Sequence, residues 1–273
     1  MERVGIIQMT SGPDVETNLE FIDKQCAQAA QQGVKLVLTP ENSVLFADRD
    51  AYHHYAEPLG SGAIQQRLAK IAKQYQITLI VGSMPIQTAR GVTTTTLVLS
   101  PHGKCIAHYE KLHMFDVEVA DGHGSYRESD TFTPGNQMVV TETDIGSVGL
   151  SICYDLRFPE LYKQLRLEGA TIIVVPAAFT AVTGEAHWEV LLRARAIETQ
   201  CWVLASNQTG THPCGRKTWG HSMVIDLWGR IHSQLADQTG LLVADIDLSQ
   251  CQQVRQNMPL TQHSRFHNEM RRK

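Results

Sequence analysis

The chain has 273 residues, 42% of them hydrophobic and 19% charged, with a formal net charge of −4. This composition suits a globular protein with a substantial core and carries no signature of disorder. No long basic run occurs outside Arg271, Arg272 and Lys273, so nucleic acid has no electrostatic footing as a partner. No apolar segment approaches the ~20 residues that span a bilayer. The opening "MERVGIIQMT" lacks the apolar length and cleavage pattern of a signal peptide. The expectation is a soluble cytoplasmic protein without membrane or nucleic-acid partners.

In chain order, "VGIIQM" (4–9) reads as a strand and 14–33 as a helix, with Leu19, Ile22, Cys26 and Ala29/Ala30 on one stripe and Gly33 at its end. "VKLVLTPE" (34–41) is a short strand halted by Pro40. The segment 62–76 is a helix with Ile64, Leu68, Ile71 and Tyr75 aligned, and "TLIVGSMP" (78–85) is the next strand. Residues 93–111 hold two β-rich runs divided by "SPHG", strong turn chemistry that predicts a hairpin. "ARGVTTTT" (89–96), which runs into it, reads as β-branched edge material, not as a phosphate loop. Then follow a strand at 147–152, a helix near 159–168 closed by Gly169, a strand at 171–176, a helix at 186–199 and a strand at 201–206. A last hairpin is expected between "GHSMVIDLWGR" and "GLLVADIDL". Strands alternating with helices imply sheets covered on both faces, and the hairpins make those sheets mixed. No linker or composition break divides the chain, so 1–273 reads as a single domain. The one long irregular segment is 112–135; loops of that length are uncommon unless functional or disordered.

The six cysteines, at 26, 105, 153, 201, 214 and 251, are scattered without a C-x-x-C pair and read as mostly reduced and structural. Twelve histidines show no metal-binding spacing. The adjacent pair in "YHHYAE" (52–57) reads as solvated. No Gly-rich nucleotide fingerprint occurs, and neither metal nor cofactor is expected.

Three strands end in a reactive side chain: Glu41 after "LVLTP", Lys111 after "CIAHYE" and Cys153 after "GLSI". Singly, each has a plain structural reading as a solvated acid, a surface lysine or a core thiol. Together, at the carboxyl ends of sheet strands, they can converge on one cleft. The set suits acyl transfer. A thiol attacks, a carboxylate takes its proton and hands it to the leaving amine, and an ammonium stabilises the thiolate and later the oxyanion. A strand-to-helix bend at Cys153 would also aim backbone N–H groups at the substrate carbonyl.

These stretches, "TPEN", "YEKLHMFD" and "GLSICYDLRFPEL", resemble in order the three signatures of the nitrilase superfamily of carbon–nitrogen hydrolases, over essentially the whole chain. The resemblance implies a four-layer αββα sandwich doubled across a homodimer. It implies a triad of Glu41 as general base, Lys111 as the stabilising cation and Cys153 as nucleophile. The family often carries a second glutamate after the lysine, and "YRES" offers Glu128; an exposed loop carboxylate is the other reading. "CYDLRFPEL", "GEAHWEVLLRARAIETQCWVLASNQTG" and "GHSMVIDLWGR" are similar to the Nit branch. That likeness implies a cofactor-free amidase that opens deaminated glutathione to 2-oxoglutarate and cysteinylglycine. An ω-amidase acting on 2-oxoglutaramate, or another nitrilase or carbamoylase relative, stays open, as do a non-enzymatic dimer and a redox sensor built on Cys153.

A 2-oxo acid needs a cation in the pocket, and Arg157, one helical turn past the thiol, is the candidate. The alternative for Arg157 is an ion pair with Asp155 or Glu160. Phe179 and Thr183 are candidates for the cleft wall, and Tyr154 for an oxyanion-hole N–H. In 186–199, Trp188, Leu191, Leu192 and Ala196 form a stripe with Glu189 and Arg193 paired. That pattern predicts a packed helix, placed by family likeness at the dimer interface.

Overall fold

Apolar strands with alternate residues facing opposite ways can seal two layers at once, and the first strand does so. In a computed structural model, which describes residues 1–120, 124–267 and 269–270, Val4 and Ile6 of the strand Glu2–Gln8 point one way, and Ile7 points the other. The sheet around it runs Gly240–Ile246, Glu2–Gln8, Leu36–Leu38, Thr78–Thr88, Gly91–Leu99 and Cys105–Glu110, with Glu57–Pro58 beside Thr78–Thr88. A second sheet runs Ile231–Gln234, Met223–Ile225, Trp202–Asn207, Ile172–Ala177, Gly146–Leu150 and Val140–Thr143. Each has a parallel centre and antiparallel flanks.

Val4, Ile6, Leu36, Leu38, Ile80 and Val98 share one buried cluster with Leu150, Ile172, Val174 and Leu204 of the second sheet, so the sheets pack face to face. The first sheet's outer face (Ile7, Val37, Leu79, Val81) meets Leu19, Ile22 and Cys26 of the helix Val15–Gln31 and Leu68 and Ile71 of Ala63–Tyr75. The second sheet is covered by Leu161 and Leu165 of Pro159–Leu167 and Leu192 and Ala196 of Glu189–Thr199. The layers are therefore α, β, β, α. Each fully buried aliphatic side chain contributes roughly 1.5–3 kcal/mol to holding them.

Four expectations change. The last hairpin does not pair as its pattern suggested. Asp226 accepts from the N–H groups of Trp228 (2.8 Å) and Arg230 (2.9 Å), and Gly229 sits at φ 74°, so the chain turns within a few residues. Ile231–Gln234 thus takes the place beside Met223–Ile225, and Gly240–Ile246 crosses to lie antiparallel to Glu2–Gln8. "ARGVTTTT" is not edge material: Gly91–Leu99 pairs on both sides, and Thr93, Thr94, Thr95 and Thr96 are buried. The 112–135 segment is not wholly irregular. It holds a ribbon, Asp116–Val119 with Gly124–Arg127, and a short turn Glu128–Asp130; residues 121–123 lie outside the described part. The helix expected from 186 begins earlier, through Ala181–Thr183 and a wide turn Gly184–Trp188.

His53 and His54 are exposed at the end of the helix Arg49–His54. The basic residues 271–273 lie outside the described part. Among the described residues no helix is long and apolar enough to cross a membrane.

Candidate active site

Glu41 follows Leu36–Leu38 through the turn Thr39–Pro40. That turn presses against the next strand at Gly82, where a Cβ would collide with the backbone carbonyls of Thr39 and Pro40. Contact this close needs glycine. The Thr39 hydroxyl accepts from Gly82 N–H (2.8 Å), and Ser83 Oγ accepts from Asn42 N–H (2.8 Å). Gln208 Nε2 donates to the Glu41 carbonyl (2.9 Å). Glu41 is held from three directions, 4% exposed.

Lys111 leaves Cys105–Glu110 with its backbone still tied to the sheet. Its N–H donates to Thr94 O (3.1 Å) and its carbonyl accepts from Gly135 N–H (2.8 Å). Its ammonium, 2% exposed, lies 2.8 Å from Glu41 Oε1 and 2.8 Å from both Glu128 oxygens. Glu128 also accepts from the Phe115 N–H at 2.6 Å. Glu128 is thus no free loop carboxylate. Removing the lysine would leave the buried Glu41 and the partly buried Glu128 facing one another, which costs about 3–5 kcal/mol.

Cys153 opens the turn Cys153–Arg157 with φ 48°, a left-handed conformation that costs a non-glycine residue free energy. Asp155 secures the bend. Its buried carboxylate accepts from Ile152 N–H (2.9 Å), His113 N–H (3.1 Å) and Tyr109 Oη–H (2.7 Å), and lies 2.7 Å from His113 Nδ1. Tyr109 and His113 flank Lys111 in sequence, so one carboxylate ties the lysine's segment to the cysteine's.

Burial pushes the Cys153 thiol well above its ordinary pKa, with Glu41 adding to the rise, while Lys111 and a backbone N–H from Ala178 oppose it. Burial and Glu41 thus favour the neutral thiol over the thiolate, and Glu41 is the neighbouring carboxylate in the same cavity. Burial disfavours the charge on Lys111, but Glu128 and Glu41 outweigh it and hold its pKa well above the usual value. Burial raises Glu128, against the pull of Lys111.

Around the thiol lies a cavity of about 180 Å³ whose lining includes all eight residues singled out from sequence: Glu41, Lys111, Glu128, Cys153, Tyr154, Arg157, Phe179 and Thr183. Among the described residues Arg157 pairs with neither Asp155 nor Glu160. Its guanidinium lies over the rings of Tyr154 (5.9 Å) and Phe179 (5.6 Å), with Nη2 3.3 Å from His187 Nδ1. Thr183 bonds Thr180 Oγ1 at 2.9 Å. Sequence reasoning missed Arg216, which reaches the cavity from the turn between the strands Thr209–Thr211 and Lys217–Trp219. It also missed Asp155 as an anchor, having weighed it only as a partner for Arg157. Nothing local in "PCGRK" marks Arg216, since only the fold brings that turn to the thiol.

The chain matches the carbon–nitrogen hydrolase family model over residues 3–256. It is 47% identical over 266 residues to the deaminated glutathione amidase of Yersinia enterocolitica, covering 96% of this chain and 93% of that one. Its structure is similar to that of Saccharomyces cerevisiae Nit3, a nitrilase-superfamily member, with TM-score 0.87, 28% identity and 97% of each chain covered. It is similar too to a mutant amidase from Nesterenkonia sp. AN1 whose active-site cysteine has added acrylamide, with TM-score 0.79, 28% identity, 96% of this chain and 100% of that one. By sequence match, fold and cleft alike, the chain belongs to the carbon–nitrogen hydrolases of the nitrilase superfamily.

Proposed function

We propose that this hydrolase opens the amide of deaminated glutathione, releasing cysteinylglycine and then 2-oxoglutarate through a thioester on Cys153. The observation that carries the chemistry is the buried Lys111 ammonium held between Glu41 and Glu128 beside a thiol on a strained bend. The name of the Yersinia relative supports the substrate.

As the Cys153 sulfur attacks the amide carbon, Glu41 takes the thiol proton, and the carbonyl oxygen becomes an oxyanion. Lys111 and backbone N–H groups at the bend, with Tyr154 a candidate donor, balance that charge. Glu41 then passes the proton to the departing amine, the C–N bond breaks, and a 2-oxoglutaryl thioester remains. Water, deprotonated by Glu41, attacks the thioester; the C–S bond breaks and the thiol is restored. Glu128 orients Lys111 throughout. Arg157, free of any carboxylate among the described residues, grips the 2-oxo acid carboxylate, with Phe179 and Thr183 beside it. The same reading takes residues 1–273 as one domain and the protein as a cytoplasmic homodimer.

The test is kcat/KM for deaminated glutathione and for 2-oxoglutaramate on the purified protein. The expected order favours deaminated glutathione; a reversed order makes the enzyme an ω-amidase. Cys153→Ala is expected to lose about 10³-fold or more in kcat, and mass spectrometry of the quenched native enzyme to find 2-oxoglutaryl on Cys153. Acyl label on another residue would sink the mechanism.

A further inference from the structure

The cleft holds more positive charge than the catalytic chemistry uses. Lys111 is matched by two carboxylates, and Arg127 lies 3.9 Å from the exposed Glu118. Arg157 and Arg216 remain, each lining the cavity without a carboxylate partner among the described residues. They occupy different aromatic walls. Arg157 lies against Tyr154 and Phe179; Arg216 lies 4.9 Å from the Tyr126 ring centre and 5.4 Å from that of Phe46. Arg216 spends one N–H on the Ala178 carbonyl (3.1 Å), and its Nε is buried with no hydrogen-bond partner. Ala178 is also the residue whose N–H faces the Cys153 sulfur. Both guanidiniums thus line the cavity around the thiol, Arg157 against the Phe179 ring and Arg216 on the neighbouring Ala178 carbonyl.

A guanidinium that faces a cavity with donors unspent is built for a planar anion, which it binds through paired hydrogen bonds. Two of them, against different rings of the one cavity that holds the thiol, call for a ligand that carries two anions. We infer that Arg216 is the specificity residue for the leaving group and binds the terminal carboxylate of the departing dipeptide, while Arg157 holds the carboxylate of the acyl portion. This rests on the reading of the substrate given above. It adds the reason an amine as long as a dipeptide is accepted: its far end has its own anchor. A primary amide that expels only ammonia has nothing to offer Arg216.

The test varies the substrate as well as the enzyme. Deaminated glutathione is compared with its C-terminal glycinamide, identical except that the distal carboxylate is an uncharged amide. The native enzyme is expected to prefer the free carboxylate by about 10- to 100-fold in kcat/KM, the range for a charge-assisted pair, mostly through KM. In Arg216→Gln that preference should shrink to within about threefold, and Arg216→Lys should retain part of it. Because the measure is a ratio within one enzyme, any general loss from shifting Ala178 cancels. A ratio unchanged in Arg216→Gln, or a native enzyme indifferent to the amide, overturns the inference and leaves Arg216 as a brace for Ala178. Failure of the substrate assignment reads differently. If the native enzyme hydrolyses neither compound, calorimetric binding of both to Cys153→Ala still decides the point. Tighter binding of the free carboxylate, abolished by adding Arg216→Gln, supports it, and equal binding overturns it.

Discussion

A buried ammonium must be answered by carboxylates, and the two that answer Lys111 have different duties: Glu41 faces the thiol while Glu128 bonds the lysine and a backbone N–H. That division lets one acid exchange protons while the other keeps the cation in place. His212, packed behind the cavity-lining Phe46, is another buried titratable side chain. It stacks on Phe46 with ring centres 3.9 Å apart. The Ser11 carbonyl, 2.8 Å from Nδ1, can only accept, so Nδ1 carries the proton and Nε2 accepts from the Thr218 hydroxyl at 2.9 Å. The ring is fully satisfied as a neutral base. Burial pushes its pKa down to about 4, and Arg216 adds to the fall. In the unfolded chain it titrates near ~6.5. Between these values the unfolded chain binds the extra proton, so this residue's contribution is complete above about 6.5 and is lost as pH falls toward 4. The loss at pH 5 is about 2 kcal/mol. Urea unfolding at pH 7.5 and 5.0 should show His212→Gln losing less stability on acidification than the native protein by about that amount. Equal losses would remove His212 as the cause.

Among the elements, the triad rests on how turns leave strands, and the most constrained departure is the one at Gly82. Gly82→Ala has nowhere to put its methyl group except against the carbonyls of Thr39 and Pro40. The expected result is a fall in kcat of about 10²-fold, the scale of a ~1 Å misplacement of a reacting group, with stability reduced by about 1–3 kcal/mol. Unchanged kcat, measured alongside thermal unfolding, would mean that the Glu41 turn shifts without consequence. The pattern of strands and helices was legible because buried parallel strands are apolar throughout and their covering helices carry a 3.6-residue stripe. Glu41, Lys111 and Cys153 were legible because each follows a strand, the first and third a buried parallel one and the second the antiparallel Cys105–Glu110. Partnership was less so. "GLLVADIDL" has the alternation of a strand, but alternation does not name the neighbour, and only the tight turn at Asp226 frees it to cross sheets. Four threonines in a row look like edge material until Gly91–Leu99 is flanked on both sides. Arg216 and the Asp155 anchor depend on distant segments meeting, which no local pattern encodes.

For the whole molecule, the proposed homodimer requires a face to bury. On the helix Glu189–Thr199, Val190 and Ile197 are seven residues apart and so share a side, exposed by 68% and 50%. The adjoining turn presents Trp228, 56% exposed, and Arg193 Nε clamps that turn to the helix through the Gly229 carbonyl at 2.7 Å. These exposed apolar side chains, with the Arg193–Glu189 ion pair among them, mark the surface the dimer would cover. Sedimentation of the native protein is expected to give a dimer, and Val190→Glu with Ile197→Glu a monomer. A native monomer, or a dimer untouched by both changes, would discount this face. The sheet edge beside Glu2–Gln8 carries a different consequence. Its neighbour, Gly240–Ile246, comes from the far end of the sequence, so the pairing closes one of the longest loops the chain can make. Contacts so remote form late. During synthesis Glu2–Gln8 must wait, one side unpaired, until residues 9–239 have been made, and an unpaired strand is a template for other chains. The hazard of aggregation therefore persists after Glu41, Lys111 and Cys153 have been made and until Gly240–Ile246 arrives.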